Sequence, residues 1–321
     1  MRRPKCPRVL GWFALGAAFF NAQSAFAFCQ ATTCDPSVAA DQCTTDAQNC
    51  LTTGAPLAWP SNCVTVSVQA TGAPQQDIDY ATALGSVTRA FAAWTSTECD
   101  DGAPSINVKV TGPITCDAAE YDEKGPNANI VVFRQDVWPY MGGQDALGLT
   151  SIHFDPKTGD IWDADIEVNA VAEPLSVGAL TPDAVDLDSL LTHEAGHFLG
   201  LAHTVDISAT MFPKLAKGDS LRTLAQDDIS GVCSIYPPKR SAPSTSCEPR
   251  GGFSDLCIAE RPPSVESSTP TAKGCSASPG VARAPWGWVA TVGMLLALAW
   301  TRKRRSQIRI LRKRDKIAMN E

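Results

Sequence analysis

Residues 193–203 read His-Glu-Ala-Gly-His-Phe-Leu-Gly-Leu-Ala-His, the pattern H-E-x-x-H-x-x-G-x-x-H, and no other stretch of the chain constrains its fold as much. On a helix His193 and His197 stand four residues apart, so both imidazoles leave one face and can share a metal ion. Glu194 sits beside the first of them, within reach of a water on that metal. Gly200 can enter left-handed backbone at little steric cost, end the helix and turn the chain. His203 then approaches the same metal from another side. Three neutral imidazoles with a fourth position open make a catalytic rather than a structural zinc site. The chain holds four histidines and three of them fall in this run, which weighs against histidines that merely pack or face solvent.

With the added glycine and third histidine, the motif resembles that of the metzincin zinc endopeptidases. Met211, in Ser208-Ala209-Thr210-Met211-Phe212-Pro213, resembles the family's Met-turn, a hydrophobic floor under the metal. The Met-x-Pro ending at Pro213, Thr204 after the third histidine, and the run Leu224 to Tyr236 are similar to the matrixin branch. The resemblance is strong over residues 185–237 and loose over 57–184. It implies Zn2+ held by His193, His197 and His203, with Gly200, Met211 and Pro213 as structural support. It further implies Glu194 as the catalytic base, taking a proton from a zinc-bound water during hydrolysis of a peptide bond. The substrate would be a protein or peptide lying extended against an edge strand, and Ala146 to Phe154 is the candidate edge. Asp228 is either a buried support under the metal-bearing helix or an exposed helix carboxylate. Two other readings stay open: a surface binding or adhesion protein with a non-catalytic zinc, and a metallohydrolase of a non-peptide substrate.

The sequence departs from the family in three places. It lacks the P-R-C-G-x-P-D cysteine switch. Only His153 remains for the second, structural zinc that the family often carries, and Asp155, Asp160, Asp163 and Asp165 with Glu167 offer instead a set of hard oxygen donors for Ca2+. The alternative for those acids is ordinary solvation of a turn and a strand edge. The family's Pro-x-Tyr appears as Pro213-Lys214-Leu215, so no cleavage preference is assigned.

Both ends read as processing segments. Residues 1–27 carry Arg2, Arg3, Lys5 and Arg8, then an apolar run and Ala25-Phe26-Ala27, which together read as a secretory signal peptide cleaved before Phe28, the alternative being an uncleaved anchor. Residues 274–321 begin with Gly274-Cys275, continue through a short apolar segment from Trp286 to Trp300, and end in a basic cluster from Arg302 onward. This combination resembles the tripartite sorting tails of myxobacterial surface proteins. It implies Cys275 as the sorting site, a C-terminal sorting protease as a partner, and an exported protein at the cell surface or outside the cell, anchored transiently through the tail. The alternative is a plain membrane anchor. Ten cysteines lie in the body between these ends, an even number that suits up to five disulfides in an exported chain. Cys29 to Cys63 are expected to staple the N-terminal segment, and Cys247 with Cys257 to close a small loop.

Residues 28–275 hold 13 Lys and Arg against 32 Asp and Glu. So acidic a body disfavours nucleic acid and anionic membrane surfaces, leaving membrane contact to the terminal segments. Within it, residues 28–56 form a Cys-rich extension, 57–240 the metzincin-like domain and 241–273 a Pro-, Ser- and Thr-rich linker. Alternation predicts strands at 64–68, 106–110 and 129–133, and a hairpin of 147–154 with 161–168 around Asp155-Pro156-Lys157-Thr158-Gly159-Asp160. Apolar spacing predicts helices over 77–97, 186–199 and 224–236. Strand, long helix, several strands and then the metal-bearing helix give an α/β (α+β) class: a mixed, mostly parallel twisted sheet, an active-site helix and a C-terminal helix.

Overall fold

The computed structural model describes residues 28–247 except 40, 41, 120, 123, 141–145 and 245, together with 252 and 257. The expected signal peptide at residues 1–27, the expected sorting site Cys275 and the apolar segment Trp286 to Trp300 lie outside these residues. Among the described residues, no helix is long and apolar enough to cross a membrane.

The elements in chain order are β1 (Cys29–Gln30), α1 (Pro36–Ala39), β2 (Cys63–Gln69), α2 (Tyr80–Thr95), β3 (Asn107–Ile114), β4 (Ile130–Arg134), β5 (Gly148–Phe154), β6 (Ile161–Asn169), β7 (Leu175–Ser176), β8 (Val185–Asp186), α3 (Leu187–Phe198), β9 (Leu201–Ala202) and α4 (Gln226–Ile235). The main sheet runs β3-β2-β4-β6-β5. Its pairings are parallel except for the β5–β6 hairpin, which is antiparallel and leaves β5 at the edge. Every residue of β2 is buried, as expected of a strand covered on both faces.

Period-two alternation sorts β6 cleanly. Ala164, Ile166 and Val168 join the main core against the helices, and Asp163, Asp165 and Glu167 lie on the other face, equally buried. Helix α2 starts at the Asp79 cap, whose carboxylate accepts from Thr82 N at 2.8 Å. It buries Ala83, Val87, Ala90, Phe91 and Trp94, one stripe at helical spacing. Trp94 sits at the α2–α3 contact and donates its indole N–H to Thr192 O at 2.7 Å. Helix α3 is buried along nearly its whole length, so its chemistry is held in the core rather than on a loop.

Five disulfides tie the described chain. Cys29–Cys50 and Cys34–Cys43 staple the N-terminal segment as expected. Cys63 does not belong to that staple, and Cys247 and Cys257 do not pair with each other. Cys63 bonds Cys247, Cys116 bonds Cys257 and Cys99 bonds Cys233. The reason is spatial: the chain after α4 returns along the start of β2, where Asn62 N meets Ser244 O at 3.1 Å, and then reaches the end of β3, where Thr115 N meets Cys257 O at 3.1 Å. A disulfide needs Cα atoms about 4.4–6.8 Å apart, and sequence distance does not report that. The stretch after residue 240 is thus bound to the body at two points.

Candidate metal and active site

Helix α3 is positioned before it is functional. Asp186 caps it, accepting from Ser189 N at 3.0 Å, and is itself held by Arg222. Two residues further, in the first turn, Asp188 pairs with both Nε and an amino nitrogen of Arg89 on α2 at 2.9 Å. At the other end, the last carbonyls of a helix lack intrahelical partners. Trp59 donates its indole N–H to Phe198 O at 2.8 Å, and Tyr236 donates its hydroxyl to Leu199 O at 2.9 Å. Gly200 then turns the chain with φ +91°, and a Cβ there would stand 2.5 Å from Leu57 O. Both facts demand glycine. The short strand β9 follows and pairs antiparallel with β1 of the N-terminal segment, Cys29 opposite Ala202. That pairing ends one residue before His203.

His193, His197 and His203 converge. Their Nε2 atoms form a triangle with sides of 3.1, 3.1 and 3.2 Å. Nitrogens bound at 2.0–2.1 Å to a tetrahedral zinc stand about 3.3 Å apart, so the triangle fits that ion. The opposite ring nitrogens are committed: His193 Nδ1 donates to Thr210 O at 2.7 Å and His197 Nδ1 to Leu201 O at 2.9 Å. A proton fixed on Nδ1 leaves the Nε2 lone pair to a metal. Burial favours the neutral ring in all three, lowering His193 and His197 and bringing His203 down to about 4, with mutual repulsion of the imidazoles adding to it for His197 and His203. Among the described residues this is the sole group of three or more His, Cys, Asp or Glu side chains close enough to share an ion.

Met211 lies under the helix, 1% exposed, and Gly196 makes room for it: a Cβ there would stand 2.2 Å from Met211 Sδ and 2.7 Å from the Trp94 ring. Pro213 is half-buried at the end of the turn. Asp228, whose setting the sequence left open, is buried. Its carboxylate accepts from Thr210 N at 2.7 Å, Met211 N at 3.0 Å and Ala225 N at 2.8 Å. It thereby fixes the turn whose carbonyl orients His193. Glu194 is buried beside the triad and accepts from Thr150 Oγ1 at 2.6 Å.

The acids considered for calcium do not gather. Asp155 accepts from Lys157 N and Thr158 N and shapes the hairpin turn, while Asp160 is exposed. Asp163 faces His153 across the strand pair, with 3.4 Å between Oδ2 and Nδ1. Asp165 accepts from Ile130 N at 3.0 Å, and Glu167 pairs with Arg134 and Tyr140. Asp155, Asp163, Asp165 and Glu167 each have a protein contact of their own, and strand geometry spaces the last three along β6 rather than around a point.

Sequence patterns match this geometry. The profile of the matrixin peptidases covers residues 58–237. The chain belongs to the matrixin family. Over 152 residues it is 30% identical to metalloendoproteinase 1 of Glycine max, covering 47% of this chain and 44% of that protein. It is 48% identical over 52 residues to metalloendoproteinase 5-MMP of Arabidopsis thaliana, 16% of this chain and 14% of that protein. It is 28% identical over 174 residues to interstitial collagenase of Equus caballus, 52% of this chain and 30% of that protein. The chain spans less than half the length of these curated relatives. Within this matrixin framework the sequence pointed to the three histidines, Glu194, Gly200 and Met211. It missed Thr150, the carbonyls of Thr210 and Leu201, and the capping by Trp59 and Tyr236. Thr210 stood in the quoted Met-turn run, but a carbonyl's role leaves no mark in residue identity.

Proposed function

We propose that this matrixin is a zinc-dependent endopeptidase acting on extended peptide segments of proteins. The observation that carries the reading is the Nε2 triangle of His193, His197 and His203 with Glu194 buried on the same helix. Zinc held there supplies Lewis-acid polarisation of a carbonyl and acidifies water. The residues supply the rest. Glu194 takes a proton from the attacking water and returns it to the leaving amine. Strand β5 is an edge of the main sheet among the described residues, and the backbone of an edge strand can pair with an extended chain. Trp94, Met211 and the buried α3 hold the imidazoles rigid. Zinc content and cleavage of a peptide library, measured together on the purified protein, test the reading. Zinc bound at one equivalent with no hydrolysis would sink it and favour the binding-protein alternative.

Export belongs to the same proposal. The five disulfides support an oxidising compartment. We infer that residues 1–27 direct secretion, that Cys275 is the sorting site of a C-terminal protease, and that the mature protein stands at the cell surface or outside the cell. N-terminal sequencing of the mature protein, with cell fractionation of wild type and Cys275→Ser, tests this. A mature chain that keeps residues 1–27, or a Cys275→Ser protein distributed like wild type, would refute it.

A further inference from the structure

The inward face of β5 carries Gly148, Thr150, Ile152 and Phe154 in alternation. Ile152 and Phe154 pack against the main core. Thr150 is the polar member of this row, it is buried, and valine would fill the same volume. Its hydroxyl has one proton and two nearby acceptors: Glu194 Oε2 at 2.6 Å and Glu194 O at 3.2 Å. The shorter contact has the length of a charge-assisted O–H···O⁻ bond. On the other side of the carboxylate, a Cβ on Gly148 would stand 2.6 Å from Oε1 and 3.0 Å from Cδ. The strand thus meets Glu194 at two residues, with the Thr150 donor against Oε2 and Gly148, which has no side chain, beside Oε1.

We propose that Thr150 is the positioning residue for Glu194 and that Gly148 provides the space in which the carboxylate works. The inference rests on the endopeptidase reading above. Thr150 donates to Oε2 and holds that oxygen in place. Oε1, over Gly148 at the strand edge, is then the oxygen that exchanges the proton. The proton leaves water for Oε1, Oε2 keeps the threonine hydrogen bond as the carbonyl oxygen of the acid, and the same proton passes from Oε1 to the leaving nitrogen. Threonine suits the task because its branched Cβ leaves χ1 little freedom, so the hydroxyl is pre-aimed. A single strand then aligns both partners of the reaction: its backbone edge orients the peptide, and its side-chain row orients the base.

The test compares Thr150→Val, Thr150→Ser and Gly148→Ala in the full-length, zinc-loaded protein. Misplacing a reacting group by about 1 Å can cost 10²-fold, so Thr150→Val is expected to lose roughly 10- to 100-fold in kcat, with KM and zinc stoichiometry near wild type. Thr150→Ser, which keeps the hydroxyl, restores most of the rate. Gly148→Ala lowers kcat in the same way, and crystal structures of Thr150→Val and Gly148→Ala show the Glu194 carboxylate turned from its wild-type rotamer. Wild-type kcat in Thr150→Val, or a loss confined to KM or to zinc content, overturns the inference while leaving the endopeptidase reading intact. A wild-type protein that binds zinc and cleaves nothing overturns both.

Discussion

The two faces of strand β5 each bring a histidine environment to the same sheet edge, with opposite results. On the inward face, three imidazoles meet with their Nε2 atoms 3.1–3.2 Å apart. Two of them have their Nδ1 atoms satisfied by backbone carbonyls. On the outward face, His153 meets a single buried carboxylate, Asp163, and the ring of Tyr121 stacks on it at 3.9 Å with the planes 4° apart. The aromatic ring occupies space that further ligands would need. Burial alone therefore does not make a metal site. Convergence of several lone pairs does, together with the carbonyls that fix the Nδ1 atoms of His193 and His197.

The contrast predicts a graded series. The largest effect is expected from His197→Ala, which removes one corner of the triangle and abolishes both stoichiometric zinc and hydrolysis. His153→Ala keeps the zinc, as atomic emission on dialysed protein would show. Equal loss of zinc in the two variants would erase the distinction between the faces.

Next, Glu194→Ala should keep zinc and lose about 10²- to 10⁴-fold in hydrolysis, the usual weight of a general acid–base. Peptide cleavage rates measured beside zinc content decide it, and activity that survives the change means another group is the base.

A smaller effect belongs to Asp228→Ala. It strips the buried N–H groups of Thr210 and Met211 of their acceptor, at about 1–3 kcal/mol for each group left unsatisfied. Urea denaturation should show that loss, and zinc affinity should fall with it because the Thr210 carbonyl orients His193. Unchanged zinc affinity in a destabilised variant would separate the turn from the metal site.

The smallest effect concerns the outward face. Burial raises the carboxyl of Asp163 above its ordinary value, against the opposing pull of His153. A carboxyl whose folded pKa is raised holds its proton more tightly folded than unfolded, so stability falls as pH rises from about 4, the unfolded value, through the folded one. Asp163→Asn cannot ionise, and its melting temperature should lack that fall. Parallel pH-dependent melting curves for the two proteins would refute the assignment.

Much of the framework could be read from residue order. The expected strands at 64–68 and 129–133 appear within Cys63–Gln69 and nearly at Ile130–Arg134. The expected helices differ by a few residues at their ends, α2 starting at Tyr80 because Asp79 caps it. The second strand was expected to end at Val110 but continues to Ile114. Thr111 is held there by a 2.7 Å contact with Ser67, and Gly112 and Pro113 carry no alternation to announce a strand. The cysteine pairing was not legible for Cys63, Cys99, Cys116, Cys233, Cys247 and Cys257, because their partners lie 134 to 184 residues away.

Local spacing along α3 and the conformational licence of Gly200 were set by the sequence itself, since a helix period and a missing Cβ act within a few residues. The same holds for the identity of the chemical groups, three imidazoles and a carboxylate. Tertiary structure alone decided that the Thr210 carbonyl orients His193, that the Thr150 hydroxyl grips Glu194, and that Asp163 meets His153. Those outcomes depend on strands and turns distant in the chain arriving at one place, and hydrogen bonds reach only about 3 Å.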